Sequence, residues 1–172
     1  AVRYCIPEDA PAGAVRLFGE ELFPVCSPAL QTEGPNPLRT LSDLKFHGLL
    51  RLEGAMGQLD WETWLAAQGL VDMKPASSMR FDTYEQMIQS ALSGQGVAMG
   101  IGRLVSGLIE AGRLVAPFSK SVTGSRSYFV IRSATTGTRP HVQAFADWLV
   151  EEAKAVSDQA MLAAAKVSSR SP

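Results

Sequence analysis

The stretch SALSGQGVAMG, residues 90–100, decides the fold, because its glycines could either open a helix or close one. A phosphate-binding loop needs a strand that runs into glycines and then a helix whose first N–H groups point at the anion. Here the helical pattern lies before the glycines, at Tyr84, Met87, Ile88, Ala91 and Leu92. The apolar run after them, residues 97–101, is typical of a strand. The order is helix, glycine, strand, and it disfavours a phosphate loop.

Two glycines have separate roles in this junction. Gly94 is predicted to end the helix in the left-handed conformation, which glycine adopts without steric cost. Gly96 is predicted to let the backbone enter the sheet closely. At the start of the helix, Asp82 followed by Glu85 three residues later predicts a capping box.

The composition is that of a globular protein that can bury a core as one domain or as two small lobes. Of the 172 residues, 46% are hydrophobic and 19% are charged, which excludes a disordered chain. The 16 basic and 17 acidic residues leave a formal net charge of -1, without long runs of one sign. The sequence therefore gives no sign of a basic surface that would bind nucleic acid.

The sequence predicts neither a metal site nor a cofactor. Its two cysteines, Cys5 and Cys26, form no CxxC motif and have no histidine nearby in sequence, so we expect two reduced, buried thiols. No apolar stretch approaches the roughly 20 residues that span a bilayer. We therefore expect no membrane contact.

Strand-like and helical segments alternate along the chain. Strands are predicted at residues 1–5, 21–26, 48–52, 77–81, 97–101, 114–118 and 128–132. Short helices are predicted between them, and a long helix begins at Pro140. This alternation indicates an α/β fold with a largely parallel sheet. Two strand-like segments, residues 21–26 and 127–133, bracket the central strand-helix block, as the two strands of a hinge between lobes would do.

Four segments resemble the effector-binding domain of LysR-type transcriptional regulators. They are AVRYC (1–5), ELFPVCSPAL (21–30), SMRFDTYEQMIQSALSGQGVAMGIGRLVSGLIEAGRLVAPF (78–118) and PHVQAFADWLVEEA (140–153). The resemblance implies a two-lobed, periplasmic-binding-protein-like α/β domain with a two-strand hinge and an incomplete first lobe. Residues 1–23 plus 128–165 would form the remainder of the first lobe, residues 24–127 the second lobe, and residues 166–172 a flexible tail.

The function implied by this resemblance is small-molecule sensing. The chain would be the effector-binding and oligomerising part of a bacterial, cytoplasmic DNA-binding regulator, without catalytic residues. Its partners would be a small-molecule effector, with a carboxylate as one candidate class, and further copies of itself in a homo-oligomer. DNA would be bound only through a helix-turn-helix that lies outside this sequence.

Six residues are candidates for ligand binding: Ser27, Phe81, Thr83, Met99, Gly100 and Ile101. Helix starts suit an anionic group because their N–H donors are unpaired, which favours Ser27 and Thr83. Phe81 could form a wall of the cleft, and the resemblance places residues 99–101 near it. Each also has a structural interpretation, because Ser27 could simply cap a helix before Pro28, and Phe81, Met99 and Ile101 could belong to the core.

Two other classes of protein stay open at the level of sequence. The first is a solute-binding protein of the same two-lobed architecture, which would deliver a ligand to a transporter. The second is a small α/β enzyme, for which His47 and His141 are the candidate bases, although neither lies beside a plausible nucleophile. Trp61 and Trp64, three residues apart on one helix face, indicate core packing more than an aromatic ligand cage.

Overall fold

The computed structural model describes residues 1–54, 60–133 and 139–168. The chain divides into two compact units: unit 1 consists of Ala1–Glu20 and Ser125–Pro172, and unit 2 consists of Glu21–Gly124. Of the tail expected at residues 166–172, residues 169–172 lie outside the described part of the chain.

Six strands and five α-helices make up the described residues. The strands are β1 (Val2–Cys5), β2 (Val15–Val25), β3 (Gly48–Leu52), β4 (Ser77–Phe81), β5 (Val97–Ile101) and β6 (Val122–Val130). The α-helices are α1 (Ala29–Thr32), α2 (Asp60–Ala67), α3 (Tyr84–Leu92), α4 (Gly102–Glu110) and α5 (Pro140–Ser168). Short 3-10 helices cover Pro7–Asp9 and Leu41–Phe46.

The sheet is mixed, which corrects the expectation of a largely parallel one. In unit 2, β3 pairs in parallel with β4 and with β5, as strand-helix-strand connections require. Strand β5 pairs antiparallel with β2, and in unit 1 β1 pairs antiparallel with β6. Both antiparallel pairs join strands that are far apart in sequence, and the local alternation of elements contains no information about such pairs.

The strand predicted at residues 114–118 is wrong. Val115 makes only an isolated antiparallel bridge to Cys26, with backbone hydrogen bonds of 3.0 and 2.9 Å in the two directions. Pro117 follows two residues later and has no N–H to continue a ladder. The segment is therefore hydrogen-bonded to the residue that follows β2 but is not a strand of the sheet.

The junction between α3 and β5 confirms the order helix, glycine, strand. Gly94 has φ +74°, and the N–H groups of Gly94 and Gln95 donate to the carbonyls of Ala91 and Ser90, a Schellman motif that ends α3. Gly96 is confirmed as a point of close approach, since a Cβ there would lie 2.5 Å from the carbonyl oxygen of Gly48 on β3. The glycines therefore close a helix and bring β5 against the sheet.

The core of unit 2 lies where α3 and α4 pack on the sheet. Its buried members are Val25, Leu50, Met87, Ile88, Ala91, Ala98, Val105 and Leu114. Trp61 and Trp64 are also buried, which confirms the prediction of core packing. Their indole N–H groups donate to the carbonyls of Leu50 (3.0 Å) and Lys120 (2.9 Å), so each buried polar edge has a partner.

Two glycine-to-alanine substitutions in unit 2 are expected to change stability in opposite directions. Gly96→Ala should destabilise the fold by about 1–3 kcal/mol, because its Cβ would collide with the backbone of β3. Gly107→Ala, inside α4 with nothing within 4 Å of the added Cβ, should stabilise it by up to about 1 kcal/mol through helix propensity. Urea unfolding of both variants measures the two signs, and equal effects would contradict the close approach.

Candidate functional site

The carboxyl ends of the parallel strands form one edge of unit 2. β4 ends at Phe81 and β5 at Ile101, and both run parallel to β3, which ends at Leu52. In open α/β sheets, ligands bind beyond the carboxyl ends of the strands. Five of the six candidate residues, namely Phe81, Thr83, Met99, Gly100 and Ile101, lie at or just after these ends.

Thr83 is the N-cap of α3 and brings a hydroxyl group to this edge. Its backbone is extended (φ -127°, ψ 146°), and its hydroxyl oxygen accepts the N–H of Gln86 at 3.3 Å. Asp82 was the expected cap and is not the N-cap; the helix begins one residue later, with Thr83 in that position. The Thr83 side chain is exposed, and its hydroxyl proton can still be donated, because capping uses only the oxygen as an acceptor.

Tyr84 connects the start of α3 to the end of β5. Its phenol oxygen accepts the backbone N–H of Ile101 at 2.8 Å, across 17 residues of sequence. From the sequence, Tyr84 is predicted only as an apolar position of the helix. Its hydrogen bond to Ile101 could not be predicted, because the polar end of a half-buried tyrosine finds its partner through the tertiary fold.

Phe81 and residues 99–101 contribute apolar surface and backbone to this edge. Met99 and Ile101 are buried, with 2% and 8% of their surfaces exposed. Gly100 has no room for a side chain, since a Cβ would lie 2.9 Å from Val25 Cγ1. Phe81 is half-buried and packs against the core.

Ser27 lies at the opposite end of the sheet. β2 and β5 are antiparallel, with Leu22 opposite Ile101 and Val25 opposite Ala98, so Ser27 lies beyond the start of β5. The five residue steps from Leu22 to Ser27 correspond to roughly 16 Å along an extended chain. The Ser27 hydroxyl also does not cap α1, which begins at Ala29 after Pro28 and has no side-chain cap; instead the Ser27 carbonyl accepts the N–H of Leu30.

A carboxylate that sequence reasoning missed lies beside the start of α4. This helix has no side-chain cap, and Glu21 Oε2 lies 3.5 Å from where a Cβ of Gly102 would be. The other oxygen, Glu21 Oε1, accepts the Ser121 hydroxyl at 2.8 Å. Burial lowers the pKa of Arg103, and the charge of Glu21 partly offsets this effect. The start of α4 therefore already has an anionic neighbour from the protein itself.

Three arginines, whose guanidinium groups could pair with an acidic effector, have neighbours within the chain. Arg80 Nη1 lies 3.8 Å from Glu53 Oε1, and the guanidinium of Arg126 lies 5.6 Å from the centre of the Tyr4 ring. Arg103 has Glu21 nearby, as described above. Such local partners are what isolated surface arginines usually have.

Unit 1 contains a groove of about 260 Å³ beside α5. It is lined by Val15, Val130, Arg132, Ala146, Asp147, Val150, Glu151 and Lys154. Arg132 and Asp147 approach to 3.9 Å across it. Its volume is below the roughly 300 Å³ at which small-molecule pockets usually begin, and its charges are of both signs.

Among the described residues, no group of three His, Cys, Asp or Glu side chains could hold a metal ion. His47 Nε2 is buried without a hydrogen-bond partner, and His141 lies at the exposed start of α5. In the described part of the chain, no helix is long and apolar enough to cross a membrane.

Taken together, the strands, the two units and the edge of unit 2 define an α/β effector-binding domain of the periplasmic-binding-protein-like class. A family model described as "LysR substrate binding domain" matches residues 1–154. The chain belongs to this family.

Similar proteins are transcriptional regulators. The chain is 33% identical over 144 residues to the glycine cleavage system transcriptional activator of Escherichia coli K12, covering 84% of this chain and 45% of that protein. It is 30% identical over 156 residues to the HTH-type transcriptional regulator DsdC of the same organism, covering 87% of this chain and 50% of that protein. The chain thus spans about half the length of these relatives.

A solved structure of the same class superposes well. The effector domain of the transcriptional regulator AmpR of Pseudomonas aeruginosa has a TM-score of 0.67 and 31% sequence identity, covering 94% of this chain and 73% of that one. The AmpR effector-binding domain of Citrobacter freundii also gives a TM-score of 0.67, with 28% identity over 89% of this chain and 73% of that one. The predicted family and fold class are therefore confirmed.

Cys26 is expected to be chemically inert in the folded protein. It has no exposed surface, and burial raises its pKa to about 12, whereas only the thiolate reacts with disulfide reagents. An unfolded thiol ionises near pH 9, so the stability contributed by the neutral thiol is present below pH 9 and is lost as the pH rises towards 12.

Two measurements check this expectation. Labelling with an aromatic disulfide reagent at pH 8 should modify Cys26 only after unfolding. The free energy of unfolding should also fall less steeply between pH 9 and 12 in Cys26→Ala than in the wild type, by at most about 1.4 kcal/mol per pH unit. Rapid labelling of the native thiol would show that the end of β2 opens readily.

Proposed function

We propose that this chain is the effector-sensing module of a LysR-type DNA-binding transcriptional regulator and that the edge of unit 2 contacts the effector. The observation that carries the proposal is the position of Thr83, an exposed hydroxyl at the start of a nine-residue helix, just beyond the carboxyl end of β4. Membership of the LysR family supports the class of protein, and the geometry supports the location of the contact.

The edge offers the two kinds of contact that a small polar molecule needs. Thr83 and the first N–H groups of α3 can bind an oxygen of the effector, and a carboxylate is one class that fits such donors. Phe81 adds apolar surface beside them. Asp82 is exposed next to Thr83 and would repel an anion placed directly above it, so an anionic group should approach from the side of Ile101.

Sensing requires that the effector bind one conformation more tightly than another, because an effector with equal affinity for both leaves their populations unchanged. In the intact regulator, this difference would be transmitted to a helix-turn-helix and to the contacts within a homo-oligomer. The similarity to a transcriptional activator and to an HTH-type transcriptional regulator supports this larger role. In this role the chain binds an effector and catalyses no reaction. The regulator acts in the cytoplasm.

Thermal unfolding with a ligand panel tests the proposal. The panel contains amino acids, aromatic acids and sugar acids at 1 mM. A ligand present at about 100 times its dissociation constant should stabilise the folded chain by ~2.7 kcal/mol. We expect a ligand-specific rise in melting temperature that Thr83→Val abolishes and Thr83→Ser retains, because serine keeps both the cap and the hydroxyl proton.

Thr32→Val is the matched control. Thr32 is an exposed threonine on α1, the helix that follows Ser27 at the opposite end of the sheet, so its variant should respond to the ligand as the wild type does. An equal response from Thr83→Val would place the effector elsewhere. The absence of any response across the panel would contradict effector binding by this chain.

The capping role of Thr83 gives a separate prediction without ligand. Thr83→Val should lower the free energy of unfolding by about 1 kcal/mol, because the N–H of Gln86 loses its acceptor. Chemical denaturation measures this loss, and Thr83→Ser should show little of it. A loss of binding in Thr83→Val well beyond this loss of stability would separate ligand contact from capping.

A further inference from the structure

One phenol hydroxyl joins the starts of two helices in unit 2. Tyr84 is the first residue of α3, directly after the cap Thr83, and its oxygen accepts the backbone N–H of Ile101 at 2.8 Å. Ile101 is the last residue of β5 and also the N-cap of α4. The Tyr84 side chain packs against the core of unit 2, so its path to Ile101 is fixed by its neighbours. The same hydrogen bond therefore holds the start of α3 and the start of α4.

This bond satisfies a backbone donor that is shielded from water. Only 8% of the surface of Ile101 is exposed. Removing the acceptor of a buried N–H is costly, because water cannot easily take its place. Phenylalanine at position 84 would keep the packing of the ring and remove only this acceptor. The hydroxyl thus contributes an interaction that the apolar part of the side chain cannot supply.

Ile101 connects the bond to strand β2. Leu22 of β2 lies opposite Ile101 in the antiparallel register, and only 2% of its surface is exposed. Both residues are closely packed, so a shift of one is felt by the other. Strand β2 is also the strand whose residues 15–20 belong to unit 1. A movement at the start of α3 can therefore reach the backbone of β2 through one hydrogen bond and one strand pairing.

We propose that Tyr84 is the positioning residue of the effector site and the link through which contact at Thr83 is transmitted to β2. The inference rests on the proposed function, because it concerns the same edge and adds how binding there is communicated. An effector held by Thr83 and the first N–H groups of α3 fixes the first turn of this helix, which begins with Tyr84. It thereby favours the closed Tyr84–Ile101 bond over an open one. By linkage, the closed bond favours effector binding to the same extent.

Hydrogen exchange measured by NMR tests the link without any effector. The readout is the exchange rate of the Ile101 amide in the 172-residue chain. Tyr84→Phe should speed this exchange at least about tenfold, because the buried N–H loses its acceptor. The amide proton signal of Ile101 should also move upfield, as expected when a hydrogen bond is lost.

A double-mutant cycle then asks whether Tyr84 carries the effect of Thr83. Thr83→Val removes the cap and loosens the first turn of α3, so it should speed the exchange of the Ile101 amide about threefold or more. In the Tyr84→Phe background the same substitution should have little further effect, because the connection is already broken. Such non-additivity is the signature of coupled residues, whereas independent effects would multiply.

Tyr4→Phe and Thr32→Val are the matched controls. Tyr4 is another half-buried tyrosine, and its hydroxyl donates to the buried Glu20 in unit 1. Each control removes one hydroxyl away from the edge, and each should leave the Ile101 exchange rate within about twofold of the wild type. Acceleration by Tyr4→Phe as large as that by Tyr84→Phe would contradict the link, since Ile101 would then report only global unfolding.

Effector affinity gives a readout that a merely structural tyrosine would not change. The probes are benzoate, L-alanine and D-gluconate, one from each class of the ligand panel, which share only a carboxylate. Each probe that binds the wild type should bind Tyr84→Phe about tenfold more weakly, because the binding-competent arrangement is less populated. The factor should be the same for every probe, since a positioning residue acts on the site. A loss confined to one probe would make Tyr84 a direct contact and overturn the positioning role.

Three further outcomes would overturn the inference. They are an unchanged Ile101 exchange rate in Tyr84→Phe, equal effects of Thr83→Val with and without the Tyr84 hydroxyl, and equal probe affinities in Tyr84→Phe and the wild type. Probe binding that Thr83→Val abolishes and Tyr84→Phe leaves intact would support the sensing role and contradict the link. Binding of no probe to the wild type would contradict the sensing role, and the exchange cycle would still decide whether Tyr84 links α3 to β5.

Discussion

The burial of strand β5 between β2 and β3 is the constraint on which the structure of unit 2 depends. All five of its residues are buried, and it hydrogen-bonds to the parallel strand β3 on one side and to the antiparallel strand β2 on the other. Its path is fixed by the contact of Gly96 with the backbone of Gly48. Because its last N–H is held by Tyr84, the start of α3 is fixed to the same strand. The position of Thr83 follows from this packing.

Local signals in the sequence predicted where helices and strands lie better than they predicted which strands pair. The end of α3 at Gly94 and the start of β5 depend on neighbouring residues only, and both were predictable. The antiparallel pairing of β2 with β5 was not, because it joins residues about 75 positions apart. Even at short range, the sequence did not predict which residue caps α3. The side chains of Asp82 and Thr83 can both cap a helix, and the structure has Thr83 in that position.

The residues of the candidate site also divide into those whose position could be predicted from the sequence and those whose position could not. Phe81, Thr83 and residues 99–101 share an edge because parallel strands bring their carboxyl ends together, and the spacing of the elements contained that information. Ser27 follows an antiparallel strand, and its place at the far end depends on a pairing that no local pattern reveals. Glu21 was missed for a similar reason, since its partner Ser121 is distant in sequence.

The adjacent carboxylates of β2 restrict how the length of this strand can vary. Glu20 is bonded to Tyr4 within unit 1, and Glu21 to Ser121 within unit 2. Successive side chains of a strand point to opposite faces, so an insertion or deletion of one residue here would exchange the surroundings of the two. It would also turn the buried Leu22 away from its face. Homologous chains with this pair of carboxylates should therefore tolerate length changes in their loops and not in this strand.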